Sequence, residues 1–111
     1  MNDQNLSVMM ARHILDLSAE ELDRRASEYH ASVVVLATAR VFIGELTAEE
    51  LANHHGEQFM RPFSELEPRN REAIRVAYVR DQMNGGSEQK EVNAELARVK
   101  PLVEAKKAQQ S

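Results

Sequence analysis

The sequence predicts an all-α fold: a small bundle of about five helices around a long central apolar helix, assembled as a homodimer. Three observations carry that expectation. Apolar residues recur at three- and four-residue spacings in successive segments, helix-start signals stand at Ser18 and Thr47, and residues 31–43 are apolar around nearly their whole circumference. That run, ASVVVLATARVFI, has only Ser32, Thr38 and Arg40 as polar interruptions. A chain of 111 residues supports one core and buries roughly 65 % of the surface its unfolded form exposes. The run therefore needs cover from the remaining helices or from a second copy.

Residues 5–17 place Leu6, Met9, Met10, His13, Ile14 and Leu17 on one helix face, giving a short docking helix. Ser18-Ala-Glu-Glu21 then reads as a capping box, with the Ser18 hydroxyl accepting from a first-turn amide and Glu21 reaching back to the Ser18 amide. In the helix that follows, Leu22, Ala26, Tyr29, Val33, Leu36 and Ile43 keep one stripe, and Val34, Val35, Ala37, Val41 and Phe42 widen it. Its first half is expected at the surface and its second half in the core. The triplet Val33-Val34-Val35 taken alone favours a strand. No other segment offers a partner strand, and an unpaired strand leaves its backbone groups unsatisfied, so a helix is predicted.

Gly44 marks a helix end, and Thr47-Ala-Glu-Glu50 supplies a second capping box for a helix carrying Leu51 and Ala52 and running towards Phe59 and Pro62. Phe63-Ser-Glu-Leu66 leads to Pro68, after which Ile74, Ala77, Tyr78 and Met83 form another apolar face that ends at Asn84-Gly85-Gly86, with Gly85 as a left-handed cap. Ser87 is expected to cap the last helix. There Val92, Leu96, Val99 and Val103 make a two-heptad seam, and Pro101 is expected to kink or end it. Residues 1–4 and 104–111 are expected to fray. No repeat, low-complexity tract or linker divides residues 1–111, so a single domain is expected. Met9, Met10, Met60 and Met83 read as gap-filling core.

The formal net charge of -4 is mild and spread along the chain, which argues against general binding to nucleic acid or anionic membrane, since both depend on basic surface. With no cysteine, disulfides, thiolate nucleophiles and cysteine-ligated metal sites are excluded, and a cytoplasmic setting is expected. The start MNDQNLSVMM lacks a signal-peptide pattern, and the 31–43 run is shorter than the roughly 20 apolar residues that span a bilayer.

Catalytic and cofactor patterns are equally scarce. Glu50 and His54 share a helix face beside His55, yet neither the HExxH spacing of zinc hydrolases nor the paired ExxH of di-iron bundles occurs, so two solvated histidines are expected and no metal. His13 and His30 lie on other segments. Serines sit at helix starts or on helix faces without a nucleophile elbow, and Gly85-Gly86 lacks the lysine and preceding strand of a phosphate loop. A non-enzymatic chain without cofactor is expected.

LTAEELANHHG, with Ala52 and Gly56 four apart after a capped start, resembles the first helix and turn of the helix-turn-helix family, which implies a DNA-binding regulator built on residues 47–80. Pro62 falls where the recognition helix should carry a buried branched residue. The stretch HHGEQFMRPFSELEPRNREAIRVAY also resembles small helical modules common in phage proteins, though it lacks the tryptophan usual at their turn. Arg61, Arg69, Arg71, Arg75 and Arg80 could meet phosphates or an acidic partner, but interleaved Glu65, Glu67, Glu72 and Asp81 point to a solvated, ion-paired face.

Protein-protein interaction is the function class that remains, as an adaptor, assembly factor or inhibitor whose partner the sequence does not identify. The residues expected to carry it are Val34, Val35, Val41 and Phe42 on the apolar run, Val92, Leu96 and Val99 on the C-terminal seam, and Arg71 and Arg75 on the basic face.

Overall fold

The structure is a computed structural model that describes residues 5–56 and 58–110, apart from the side chains of Asn5, His54 and His55. Its five α-helices are α1 (Asn5–Ile14), α2 (Ala19–Phe42), α3 (Ala48–His55), α4 (Pro68–Met83) and α5 (Ser87–Gln110), and two one-turn 3₁₀ helices, Gln58–Met60 and Phe63–Glu65, lie between α3 and α4. Among the described residues there is no strand, so the all-helical expectation holds and the valine triplet lies inside α2.

Local chemistry accounts for most of the boundaries. Ser18 is extended and its Oγ accepts from the Glu21 amide at 3.1 Å, starting α2. The second arm of the expected box does not form there. The Glu21 carboxylate is taken instead by Arg24 and by Arg25, whose Nε lies 2.9 Å away, and these guanidinium bonds, Arg24's first, hold its pKa down to about 2. At Thr47 both arms are present, at 3.0 and 3.3 Å. Helix α2 closes with the paired bonds Glu45 N to Arg40 O (2.9 Å) and Gly44 N to Val41 O (3.2 Å), with Gly44 at φ +83°. Helix α4 closes in the same way around Gly85, at φ +77°.

The start of α5 departs from expectation. Ser87 is exposed, and the amides of Glu88 and Gln89 are taken by the carboxylate of buried Asp81, at 2.8 and 3.1 Å. The tight turn at Gly85-Gly86 brings the end of α4 within reach of those first-turn donors, a geometry that outcompetes a local serine. Helix α5 then runs alongside α2 in the same direction: Glu88 meets Tyr29, Glu95 meets Arg40 and Arg98 meets Glu45. It also continues through Pro101 to Gln110, so the proline does not end the helix. Pro101 faces solvent, and beyond it Lys106 anchors the helix by donating to the Phe42 carbonyl and standing 4.9 Å over the Phe42 ring. Residues 1–4 lie outside the described residues.

Packing reverses the expected polarity of α2. One buried cluster joins Leu22 and Tyr29 of α2 to Ala11, Leu17, Tyr78 and Val79, and a second joins Ala26 to Phe63 and Leu66, with Ile74 packed against both. Both clusters centre on the N-terminal half of α2. In the 31–43 run only Leu36 and Ala37 are buried, and Val35 is 56 % exposed. The reason is geometric: α1, α4 and the second 3₁₀ turn converge on the first half, whereas α5 lies along one side of the second. Met9 and Met83, expected as core filler, are also exposed.

Asp81→Ala is expected to lower stability by about 1–2 kcal/mol, as loss of a helix cap does, while Ser87→Ala leaves it nearly unchanged; urea unfolding monitored by circular dichroism checks both. For Glu21 the folded pKa lies below the ordinary value of 4.5, so its contribution is present above pH 4.5 and lost as pH falls towards about 2. A carboxyl-detected NMR titration should place its midpoint near that lower value.

Candidate interaction surface

Arg71 and Arg75 turn out to be structural. Arg75 is only 1 % exposed; its Nε lies 2.5 Å from Asp23 Oδ1 and its Nη2 3.3 Å from Oδ2, a bidentate pair between α4 and α2. The guanidinium carbon stands 5.5 Å from the centroid of the Phe63 ring. Its Nη1 lies 3.6 Å from Glu72, close enough for attraction but not for a hydrogen bond. Glu72 in turn accepts from the amide and hydroxyl of buried Ser7, at 3.1 and 2.9 Å, which ties the first turn of α1 to α4. Half-buried Arg71 donates to the Leu66 carbonyl at 2.5 Å. The expectation that Arg75 belongs to a solvated basic face is therefore corrected. Its place three and four residues before Tyr78 and Val79, on their side of the helix, was the sequence signal for burial.

The seam on α5 is likewise partly spent inside the chain. Val99 is 2 % exposed, and Val92 and Leu96 are half-buried along α2. Beside them a groove is lined by Val35, Ala39, Leu96 and Val103 with Lys100 and Lys107 at its rim. Two ion pairs, exposed Arg98 to Glu45 just past α2 (2.6 Å) and half-buried Arg40 to Glu95 (3.5 Å), hold α5 against α2 and its C-terminal turn. Tyr29 closes the other end, donating to Glu88 at 3.0 Å; burial, reinforced by that carboxylate, raises its pKa above the ordinary value.

What remains open is the outward side of α2. Ala31, Val35 and Thr38 are exposed, and Val34, Val41 and Phe42 are half-buried. Spacings of three, four and seven residues place them on one strip. Four of the sequence-derived interaction residues, Val34, Val35, Val41 and Phe42, therefore come together, flanked by the α5 groove on one side. On the other side lies a pocket lined by Tyr29, His30, Val33, Ala37, Phe59 and Ile74. Ala31 and Thr38 were not singled out from the sequence, because a small residue and a threonine gain meaning only once neighbouring helices have claimed the other sides.

Among the described residues no group of His, Asp or Glu is placed to hold a metal ion. The side chains of His54 and His55 lie outside the described residues, His13 is exposed, and buried His30 bonds through Nε2 to the Arg61 carbonyl at 2.9 Å. No helix among the described residues is long and apolar enough to cross a membrane. No known protein family, curated protein or solved structure matches this chain.

Removing the guanidinium from the Arg75 site opens a cavity beside Phe63 and takes the counter-charge from Glu72, while Asp23, 44 % exposed, regains water. Arg75→Ala is expected to cost about 2–3 kcal/mol, a large share of the roughly 5–15 kcal/mol that holds a domain of this size. Thermal unfolding should show the loss, and Arg69→Ala, at a side chain 84 % exposed, should show almost none.

Proposed function

We propose that this chain is a non-enzymatic protein-interaction module that assembles as a homodimer through the outward strip of α2. The observation that supports this most is the uncovered apolar strip itself, with Val35 at 56 % exposure in the middle of the longest apolar run of the sequence. In a two-fold pair the same strip meets itself, so a single self-complementary surface suffices. Ala31 and Thr38 allow the two helices to approach closely, and Val34, Val35, Val41 and Phe42 supply the apolar area.

Surface area points the same way. The chain exposes 7274 Å² at a mass of 12.6 kDa, against about 6,200 Å² for a compact monomer of that mass. Its radius of gyration is 15.6 Å, against about 13 Å for a compact domain of this length. The surplus, roughly 1,000 Å², is of the order that one partner contributes to a standard interface. A DNA-binding reading of residues 47–80 draws less support, since Arg71 and Arg75 are committed inside the fold and the chain after Gly56 enters 3₁₀ turns rather than a recognition helix.

Size-exclusion chromatography with light scattering is expected to give a particle of about 25 kDa, twice the chain mass. Val35→Glu should halve that mass while preserving the helical circular dichroism spectrum, whereas Leu36→Asp, at a buried position, should unfold the protein. A wild-type particle of single-chain mass at tens of micromolar would overturn the dimer.

A further inference from the structure

The pocket on the inner flank of α2 is formed within one chain, by Val33, Ala37 and His30 of α2, Ile74 and Ala77 of α4, and Phe59 with Met60 of the first 3₁₀ turn. It is partly open to solvent and offers about 170 Å³, similar in size to the roughly 150 Å³ apolar cavities that accept benzene or xenon. The two polar side chains in its wall are engaged elsewhere. The carbonyl of Arg61 can only accept, so His30 Nε2 carries the hydrogen and donates it there at 2.9 Å. The Tyr29 hydroxyl is spent on Glu88. Among these side chains only His30 Nδ1 remains as an acceptor, and no lining residue carries an Asp, Glu, Lys or Arg side chain. A charged ligand would be desolvated there without compensation.

We propose that this pocket is a binding site for an uncharged, single-ring aromatic molecule or a hydrocarbon group of similar size. His30 and Phe59, whose ring centroids are 6.5 Å apart and tilted by 55°, offer aromatic surface to such a ring, and the aliphatic side chains of Val33 and Ile74 contribute the remaining wall. Half-buried Phe59 and Met60 sit on a single 3₁₀ turn, the one part of the wall that is not an α-helix. Val34, at the edge of the proposed dimer strip, also lines the pocket, and the other lining residues lie outside that strip.

Toluene titrated into the full-length protein, with the methyl signals of Val33, Met60 and Ile74 followed by NMR, is the direct test. Saturable shifts at those methyls and none at Leu102, which is exposed on α5, are expected. Benzoate at equal concentration should leave them unchanged. Ala37→Leu and Ala77→Leu, each filling the pocket from a different helix, should weaken toluene binding by about tenfold or more. Wild-type shifts that stay linear up to the solubility limit of toluene would overturn the proposal, as would toluene binding that survives in a folded filling variant. The wild-type titration decides the matter even if both variants fail to fold, and loss of the dimer in Val35→Glu should leave toluene binding intact.

Discussion

A guanidinium buried to 1 % exposure must be paired, and in this protein the pairing of Arg75 organises the fold around it. Its bidentate bond to Asp23 fixes where α4 crosses α2, its stack on Phe63 seats the second 3₁₀ turn, and its attraction to Glu72 positions the carboxylate that receives Ser7. Four elements thus share one charge. The arrangement is not an economical way to gain stability, since desolvating such a group offsets most of the Coulombic return. What it supplies is registry: sliding any of the four elements by a turn would strand a buried charge, whereas sliding apolar side chains past one another would cost far less.

The second constraint follows from the first. With α4 fixed across the N-terminal half of α2, the glycine turn after Met83 and the Asp81 cap send α5 back along α2, parallel to it. Parallel neighbours cannot be joined by a short loop, and here α3, the 3₁₀ turns and α4 form the long return path. Helix α5 meets α2 along one side only, through Leu36, Val99 and the pairs at Arg40 and Glu45. The apolar circumference of residues 31–43 is consequently divided three ways: α5 takes one side, the pocket walled by α4 and the first 3₁₀ turn takes another, and between them Ala31, Val35 and Thr38 stay exposed, edged by half-buried Val34, Val41 and Phe42. The proposed interface is the part of an apolar helix that its own chain has left uncovered.

The two buried clusters and the proposed interface therefore occupy different halves of one helix. The N-terminal half of α2 carries Leu22, Asp23, Ala26 and Tyr29, all engaged by α1, α4, α5 or the second 3₁₀ turn. The C-terminal half is lined by valines that are partly free. Val35 lies apart from the Arg75 network, so the proposed interface can be altered without disturbing that network.

Much of this was legible locally. The capped starts at Ser18 and Thr47, the glycine ends at Gly44 and Gly85, and the helical state of the valine triplet depend on groups within a few residues of one another, and periodicity reports them directly. Arg75 and Asp81 were misread because each has a conventional surface role in its own segment. The arginine is reassigned by Asp23 and Phe63 on other elements, and the aspartate by the glycine turn that brings the Glu88 and Gln89 amides to it. By itself the sequence determined that the chain is helical, where its helices begin, and that residues 31–43 carry more apolar surface than one side of a helix needs. Only the tertiary structure decided which side of that run stays uncovered, because exposure depends on where α4 and α5 cross α2, and those crossings are set by long-range ionic and capping contacts that local periodicity does not encode.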